Sequence, residues 1–392
     1  MTDILLKSPD LRWSKFGTSI FSTMTMAAMR ANAVNLAQGF PDFDGPEFIK
    51  KAAIEAIKGN QFNQYAPSHG IAPLRSILSK HMERKSGALY NFDSDITVFS
   101  GATEALFCSF LAFLAPKDEV ITFSPYFDCY PAGVFAAQAK LVEVPLNPKN
   151  WTFSKESLEL AVSPKTKMIL INTPHNPTGR VFSKTELQII ADIAIKNNLL
   201  VVTDEVYDEL VYDNKEFPQI HQLPGMRDRT IVISSTAKTF SFTGWKIGYA
   251  FAPEALTREL RAVHQFTVFC SATPLQYAMS KALEADAAYF TNLRSEYSER
   301  RDFLYEELSK IGFKIIKPEG TYFLVADYSD LSDLDDLNFA RWLTESKKVA
   351  TIPTSVFYNN PEEIRKTQRH VRFAYCKNID TLKKGVENLK SL

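Results

Sequence analysis

Residues 199–207 read Leu-Leu-Val-Val-Thr-Asp-Glu-Val-Tyr, an apolar run that ends in acidic residues and a tyrosine. The apolar residues are consecutive rather than alternating, which is typical of a strand buried on both faces of a sheet. Similar short runs rich in β-branched residues alternate with helical stretches, and they span residues 96–100, 120–124, 141–145, 168–172, 230–234 and 247–252. This alternation predicts an α/β fold in which helices sandwich a parallel or mixed sheet.

The length of the chain predicts more than one domain. At about 150 residues per domain, 392 residues correspond to a large domain with a smaller companion. The first 45 residues are irregular and end in a connector rich in glycine and proline. We therefore expect an N-terminal arm and connector (1–45) that packs with the small domain, a large domain (46–284) and a small C-terminal α+β domain (285–392).

Composition and charge exclude several classes of protein. The 45 basic residues balance the 45 acidic ones, so a strongly basic surface for nucleic acid or an acidic membrane is not favoured. The longest apolar stretch is too short to span a bilayer, and the chain does not start with a signal-peptide pattern. The four cysteines form no C-x-x-C pair, so we expect no metal site and reduced cysteines in a cytoplasmic protein.

Polar and aromatic side chains follow five of the predicted strands. In open α/β sheets, ligands bind beyond the carboxyl ends of the strands. The residues at those positions are therefore candidates for one shared crevice, and they are Gly101–Glu104, Pro125–Phe127, Thr173–Gly179, Asp204–Tyr207 and Ser235–Lys238.

Lys238 and Asp204 carry the chemistry that this crevice could support. A partly desolvated lysine at a strand end has a lowered pKa and can attack an aldehyde, although an isolated lysine is more often a solvated surface residue. A carboxylate after a buried run needs a partner, and a protonated pyridine nitrogen would be one. Tyr207 could reach the phenolic oxygen of such a ring. The alternative for Asp204 is a helix N-cap.

A phosphate could bind at the helix that begins after residue 100. Gly101, Ala102 and Thr103 would offer backbone N–H groups and the positive end of the helix dipole. Ser235 and Lys246 could add a hydroxyl and a cation to the same phosphate. Many helices begin with similar residues, so this pattern alone is weak.

Four motifs occur together in one order: Asn176-Pro177-x-Gly179, Asp204-Glu205-Val206-Tyr207, Ser235-x-x-Lys238 and Gly244-Trp245-Lys246-x-Gly248-Tyr249. The first of them alone would be a turn. Together they resemble the class I/II aminotransferases of pyridoxal-phosphate fold type I. The resemblance extends from residues 39–43 to residues 370–373, so it spans essentially the whole chain. It implies a large domain with a mostly parallel seven-stranded sheet and a smaller α+β domain.

Three further motifs are similar to the branch that holds the bacterial methionine aminotransferases and the kynurenine aminotransferases. They are Asn-Gln-Tyr-Ala-Pro at residues 63–67, Ser-Gly-Ala-Thr-Glu-Ala-Leu at 100–106 and Asn-Thr-Pro-His-Asn-Pro at 172–177.

The resemblance implies pyridoxal 5'-phosphate as the cofactor. Lys238 would bind it as an aldimine and move a proton during the reaction, while Asp204 would pair with the pyridine nitrogen and Phe127 would stack on the ring. Further contacts, to the phenolate oxygen or the phosphate, are implied for Asn176, Tyr207, Gly101, Ala102, Thr103, Ser235, Lys246 and, across the interface of a homodimer, Tyr65.

The implied reaction moves an amino group from an L-amino acid to a 2-oxo acid through pyridoxamine phosphate. Arg372 would bind the substrate α-carboxylate as a bidentate fork, with help from Asn176 and the backbone near Gly39. Phe21 and Phe269 are candidates for the side-chain pocket, and each could equally be core. A second arginine for a side-chain carboxylate is not identifiable, so methionine, phenylalanine or kynurenine fits better than aspartate as the donor.

Two other activities are alternatives. A carbon–sulfur β-lyase acting on cysteine conjugates shares the deprotonation at Cα, and Lys238 and Arg372 do not discriminate between the two enzymes. Ser235-Thr236-Ala237-Lys238 also matches the S-x-x-K motif of serine acyl transferases. That reading needs a later S-D-N-like element and a K-T-G, for which the sequence offers only a poor stand-in at 358–360.

Overall fold

The computed structural model describes residues 12–392, so part of the predicted N-terminal arm (1–11) lies outside the described residues. The strands are β1 (Val34–Asn35), β2 (Ile96–Phe99), β3 (Glu119–Ser124), β4 (Lys140–Pro145), β5 (Thr166–Asn172), β6 (Leu200–Asp204), β7 (Thr230–Ser235), β8 (Gly248–Phe251), β9 (Lys314–Ile315), β10 (Phe323–Asp327), β11 (Val349–Ala350), β12 (Ile352–Pro353) and β13 (His370–Ala374). The α-helices are α1 (Ile20–Ala31), α2 (Glu47–Lys58), α3 (Ala72–Ser86), α4 (Ala102–Phe113), α5 (Cys129–Ala136), α6 (Lys155–Ala161), α7 (Lys184–Lys196), α8 (Thr236–Thr239), α9 (Glu254–Thr267), α10 (Thr273–Ala282), α11 (Ala287–Ile311), α12 (Asp336–Ser346), α13 (Pro361–Thr367) and α14 (Ile379–Leu389).

A seven-stranded sheet forms the centre of the larger part of the molecule. Its strand order is β2-β8-β7-β6-β5-β3-β4. Strand β8 runs antiparallel to both of its neighbours, and all other pairs are parallel. The expectation of a mostly parallel seven-stranded sheet between helices is therefore confirmed.

Both faces of this sheet are covered, which explains the consecutive apolar residues. In β5, Met168 and Leu170 pack into an apolar cluster with residues of α4 and α9. The alternate residues, Ile169 and Ile171, pack into a second cluster with residues of α7. Because successive side chains of a strand point to opposite faces, a strand between two helix layers must be apolar at every position.

The strand formed by the fifth predicted run, residues 199–203, ends one residue later than the sequence indicates. Strand β6 includes Asp204, which pairs with Asn172 of β5 on one side and with Ile233 of β7 on the other. Asp204 is therefore held by two neighbouring strands. It does not lie in the loop that follows the sheet.

A smaller antiparallel sheet, in the order β12-β13-β10-β9, lies in the C-terminal part of the chain. The two-residue strand β1 pairs in parallel with β11, and α1 packs against α12. The division of the chain at residues 45 and 284 stays a prediction. None of the helices between residues 12 and 392 is long and apolar enough to cross a membrane.

Candidate active site

A cavity of about 360 Å³ lies at the carboxyl ends of the central strands. Residues from the N-terminal segment and the small sheet close its other side. The residues singled out from the sequence that line it are Phe21, Gly39, Gly101, Ala102, Thr103, Phe127, Asn176, Asp204, Tyr207, Ser235, Lys238, Lys246 and Arg372. Tyr65 and Phe269 are not among the lining residues. The chain thus brings most of the candidate residues into one cleft.

Lys238 lies in the one-turn helix α8, directly after β7. Burial lowers the pKa of its amine to about 8. The Nζ atom lies 5.8 Å from the ring centroid of Tyr207 and 5.6 Å from that of Tyr322. A substantial fraction of the amine is therefore neutral near pH 8, as attack on an aldehyde requires. The S-x-x-K alternative assigns Ser235 as a nucleophile. Ser235 lines the cleft together with Asp204 and Arg372, and serine acyl transfer requires neither of these two residues.

Asp204 presents its carboxylate to the cleft from the end of β6. Its Oδ2 accepts a 2.7 Å hydrogen bond from the hydroxyl of Tyr130, and its Oδ1 accepts one of 3.4 Å from the amide of Val206. Burial nevertheless raises the pKa of Asp204 to about 6. A buried carboxyl group of this kind gains most from a cationic partner, and a protonated ring nitrogen would supply that charge.

Asn172 connects two of the strand ends. Its Nδ2 donates a 2.8 Å hydrogen bond to the carbonyl of Asp204, and its Oδ1 accepts one of 2.7 Å from the amide of Asn176. The sequence did not single out Asn172 or Tyr130. Asn172 is the last residue of its predicted strand, and Tyr130 lies three residues beyond Phe127, so both had a positional signal.

Arg372 reaches the cleft from β13 and is buried. Its two terminal nitrogens donate 2.9 Å hydrogen bonds to Oδ1 of Asn176 and to the carbonyl of Ala37, while its Nε has no acceptor in residues 12–392. Burial lowers the pKa of the guanidinium to about 10, so it remains cationic at neutral pH. Its carbon Cζ lies 3.9 Å from the ring centroid of Phe323. The guanidinium of Arg372 can therefore bind a carboxylate by donating hydrogen bonds to it in place of these neutral partners.

The N-terminus of α4 forms a cradle. Gly101 has a φ of +86°, and a Cβ added there would lie 2.9 Å from Nζ of Lys246. A Cβ added at Gly248 would lie 2.4 Å from the amide nitrogen of Ala102. The N–H groups of Ala102 and Thr103 have no acceptor within the described part of the chain. Free amides, a helix N-terminus and a lysine make a cradle that fits a phosphate.

Aromatic side chains line the wall beside Arg372. The ring of Phe21 lies 5.1 Å from Cζ of Arg372 and 6.1 Å from the ring of Phe357. The carbonyl of Gly39 accepts a 2.6 Å hydrogen bond from the hydroxyl of Tyr322. The lining residues that the sequence did not single out as site residues are Gln38, Phe40, Leu106, Asn172, Val206, Ala237, Thr243 and Phe323.

Tyr65 and Phe269 lie together outside the cleft of their own chain. Their rings form an edge contact with centroids 5.3 Å apart. Tyr65 is 85% exposed and Phe269 is 44% exposed. Neither residue contributes to the cleft that the single chain encloses.

Known proteins match this chain over nearly its whole length. Residues 31–389 match the family model of class I and II aminotransferases. A probable N-succinyldiaminopimelate aminotransferase of Mycobacterium tuberculosis is 41% identical, over 97% of this chain and 98% of that protein. The methionine aminotransferase of Escherichia coli is 35% identical over 98% of both chains. The kynurenine–oxoglutarate transaminase of Dictyostelium discoideum is 37% identical over 98% of this chain and 96% of that protein.

Solved structures show the same fold. The structure of N-succinyldiaminopimelate aminotransferase from Mycobacterium tuberculosis superposes with a TM-score of 0.94 at 40% identity and covers 98% of this chain and 100% of its own. The methionine aminotransferase of Escherichia coli superposes with a TM-score of 0.94 at 34% identity, with the same coverage. These similarities confirm the resemblance seen in the sequence, including fold type I.

Proposed function

The chain belongs to the class I and II aminotransferases, which use pyridoxal 5'-phosphate, and we propose that its amino donors carry an apolar, sulfur-containing or aromatic side chain. The cations that line the cleft are Lys238, Lys246 and Arg372. If Lys238 binds the cofactor aldehyde and Lys246 its phosphate, Arg372 is the one cation of the lining left for a substrate carboxylate. This allocation supports a donor with a single carboxylate.

The wall around Arg372 supports the same class of donor. Phe21, Phe40 and Phe323 line the cleft, and the ring centroid of Phe323 lies 3.9 Å from Cζ of Arg372. A side chain that enters here exchanges water for aromatic carbon, which favours methionine, phenylalanine or kynurenine over aspartate.

The geometry of the cleft supports a role for each of these residues in the proposed reaction. Bound pyridoxal phosphate supplies an aldehyde that bonds to amines and a protonated ring that withdraws electrons from the substrate Cα. Arg372 holds the substrate carboxylate while Asp204 holds the ring nitrogen, and these two fixed points orient the Cα–H bond. The amine of Lys238, with its lowered pKa, takes the proton from Cα and later returns a proton. The buried cleft keeps bulk water away from these groups.

A second class of donor is supported by one relative. The probable N-succinyldiaminopimelate aminotransferase has the higher identity of the relatives described above. Its substrate carries carboxylates beyond the one at the reacting carbon, and these need further cations. Arg341 lines a neighbouring groove beside Asp128 and is the candidate for that purpose, whereas Arg365 in the same groove is already paired with Glu362.

We also propose a homodimer in which Tyr65 reaches the cofactor phosphate of the partner. Tyr65 is exposed beside Phe269, and Phe266 in the last turn of α9 is 87% exposed. A cluster of exposed aromatic rings is typical of a protein interface. Sedimentation combined with kinetics tests this proposal, because a monomer with full activity would contradict it.

The proposed compartment is the cytoplasm. All four cysteines are unpaired thiols in the structure, including the buried Cys108 and Cys376. Reducing compartments keep thiols in this state. Fractionation of the source cells tests the location.

A donor panel tests the proposed substrate class. The visible spectrum of the cofactor-loaded enzyme is recorded before and after adding methionine, phenylalanine, kynurenine, aspartate or N-succinyldiaminopimelate. We expect the first three to bleach the yellow band and to yield their 2-oxo acids. Selective bleaching by N-succinyldiaminopimelate would favour the second class. Release of pyruvate and ammonia from a cysteine conjugate would instead identify a β-lyase activity.

A further inference from the structure

Glu104 places a carboxylate in the first turn of α4, next to the cradle formed by Gly101, Ala102 and Thr103. Its Oε2 accepts a 2.5 Å hydrogen bond from the amide of Ser100. A carboxylate at this position draws on the same positive end of the helix that a bound phosphate would use. Unless it is neutralised, its charge also repels the phosphate.

His264 shares a proton with this carboxylate. It is fully buried on α9, with Nδ1 2.6 Å from Oε1 of Glu104 and Nε2 2.8 Å from the carbonyl oxygen of Ser68. A carbonyl oxygen can only accept a hydrogen bond, so Nε2 carries a proton. A second proton lies between Nδ1 and Oε1. Whichever atom holds that proton, the two side chains together have a net charge of zero.

This cluster is a poor metal site, although its members are metal-binding types. The Sγ atom of Cys108 lies 4.0 Å from Oε1 of Glu104, so the three side chains of Glu104, Cys108 and His264 are close together. A histidine binds a metal through a ring nitrogen without a proton. Both ring nitrogens of His264 are occupied by hydrogen bonds to oxygen, and metal binding would break one of them.

The other contacts of His264 lead to the exposed aromatic pair. Ser68, which its Nε2 contacts, lies three residues after Tyr65. The backbone carbonyl of His264 accepts 3.1 Å hydrogen bonds from the amides of Val268 and Phe269. One buried residue therefore connects the cradle at α4 with the two segments that carry Tyr65 and Phe269.

We propose that His264 is a positioning residue for the cofactor phosphate, acting by neutralising Glu104 at the N-terminus of α4 and by fixing the Tyr65 loop. The proposal rests on the proposed phosphate site at Ala102 and Thr103. It makes the charge of the pair, rather than the shape of the imidazole, the property that matters for phosphate binding.

The test compares the affinities of the apoprotein for pyridoxal phosphate and for pyridoxal, which lacks the phosphate. In His264→Asn the amide can still donate a hydrogen bond toward Glu104 but carries no charge. We expect the dissociation constant for pyridoxal phosphate to rise about tenfold, as for an uncompensated charge at a helix terminus, with little change for pyridoxal. In the double variant Glu104→Gln/His264→Asn the pair is neutral again, and the affinity should return to within about threefold of the wild type.

Controls separate this effect from loss of packing. Cys108→Ala removes a buried neighbour of Glu104 without changing charge, and both affinities should stay unchanged. Failure of the double variant to restore binding, or an unchanged affinity in His264→Asn, would overturn the proposal. If His264→Asn does not fold, the single variant Glu104→Gln is measured instead. It has no charge on residue 104, so a tenfold loss of affinity for pyridoxal phosphate would contradict the charge argument. Gly101→Ala tests the phosphate site itself. If this variant kept the preference for pyridoxal phosphate over pyridoxal, the proposed phosphate site would be wrong. If Gly101→Ala lost that preference but His264→Asn did not, only the role of His264 would be wrong.

Discussion

The hydroxyl of Tyr130 donates a 2.7 Å hydrogen bond to Oδ2 of Asp204, inside the core of the large sheet. This contact is one of the interactions that lower the pKa of Asp204 against the larger effect of burial. It holds the carboxylate in the orientation that faces the cleft. If Asp204 pairs with the cofactor ring as proposed, Tyr130 acts on that ring through Asp204.

Tyr130→Phe removes that donor and should leave Asp204 harder to ionise. The ring nitrogen then keeps its proton less well, so we expect kcat to fall by about five- to tenfold with little change in KM. Steady-state kinetics with a good donor measures both parameters. A raised KM with an unchanged kcat would mean that Tyr130 acts on the substrate instead.

Asp204→Asn should stabilise the apoprotein while abolishing turnover. Burial raises the pKa of Asp204 from its ordinary 3.8 to about 6 in the folded chain. The folded state therefore binds more protons than the unfolded state between these values, and stability falls as pH rises from about 4 to 6. Asparagine avoids a cost of up to about 3 kcal/mol above pH 6.

Thermal unfolding of the apoprotein at two pH values checks this prediction. We expect the variant to melt a few degrees above the wild type at pH 7.5, and the difference to shrink as the pH approaches 4. A wild type that is more stable than the variant at pH 7.5 would contradict the conclusion that burial destabilises the ionised carboxylate of Asp204.

Arg372→Lys tests the carboxylate site. Lysine keeps the charge but loses the planar fork, so kcat/KM for amino donors should fall by about a hundredfold. Arg369→Lys is the control, because the guanidinium of Arg369 donates to the backbone carbonyls of Arg365 and Gln368 and does not line the cleft. Equal losses in the two variants would show that the effect is structural.

Much of the fold could be predicted because a strand buried on both faces has a recognisable local pattern of consecutive apolar residues. Residues 199–202, directly before Thr203 and Asp204, are apolar at every position, and this pattern depends only on the two helix layers around the sheet. Strands β1 and β11 show no such pattern, since two residues are too few to show a period. Their pairing depends on a contact between distant parts of the chain.

The candidate site divides in the same way. Lys238 and Asp204 follow apolar runs and were found by position, while the motif resemblance supplied Arg372. Tyr130 was missed although it lies three residues beyond Phe127, because its hydrogen bond to Asp204 joins distant parts of the chain. Tyr65 and Phe269 were assigned to the site, yet the described chain places them on an exposed surface, where a second chain would have to complete their role.

The lowered pKa of Lys238 predicts a specific pH dependence. Only the neutral amine bonds to an aldehyde, and the pKa of this amine is about 8. The rate constant for association of pyridoxal phosphate with the apoprotein should therefore rise with pH up to about 8 and then level off. A rate that continues to rise towards pH 10.5, the ordinary pKa of lysine, would contradict the burial argument.

The most direct measurement is to reduce the cofactor-loaded protein with borohydride and locate the modified residue by peptide mass spectrometry. Reduction makes the bond between the cofactor and its lysine permanent. We predict a single modified peptide, with the cofactor on Nζ of Lys238, and no modification in Lys238→Ala. Modification of another lysine, or of none in a protein that transaminates, would contradict the central assignment of Lys238 as the residue that binds the cofactor.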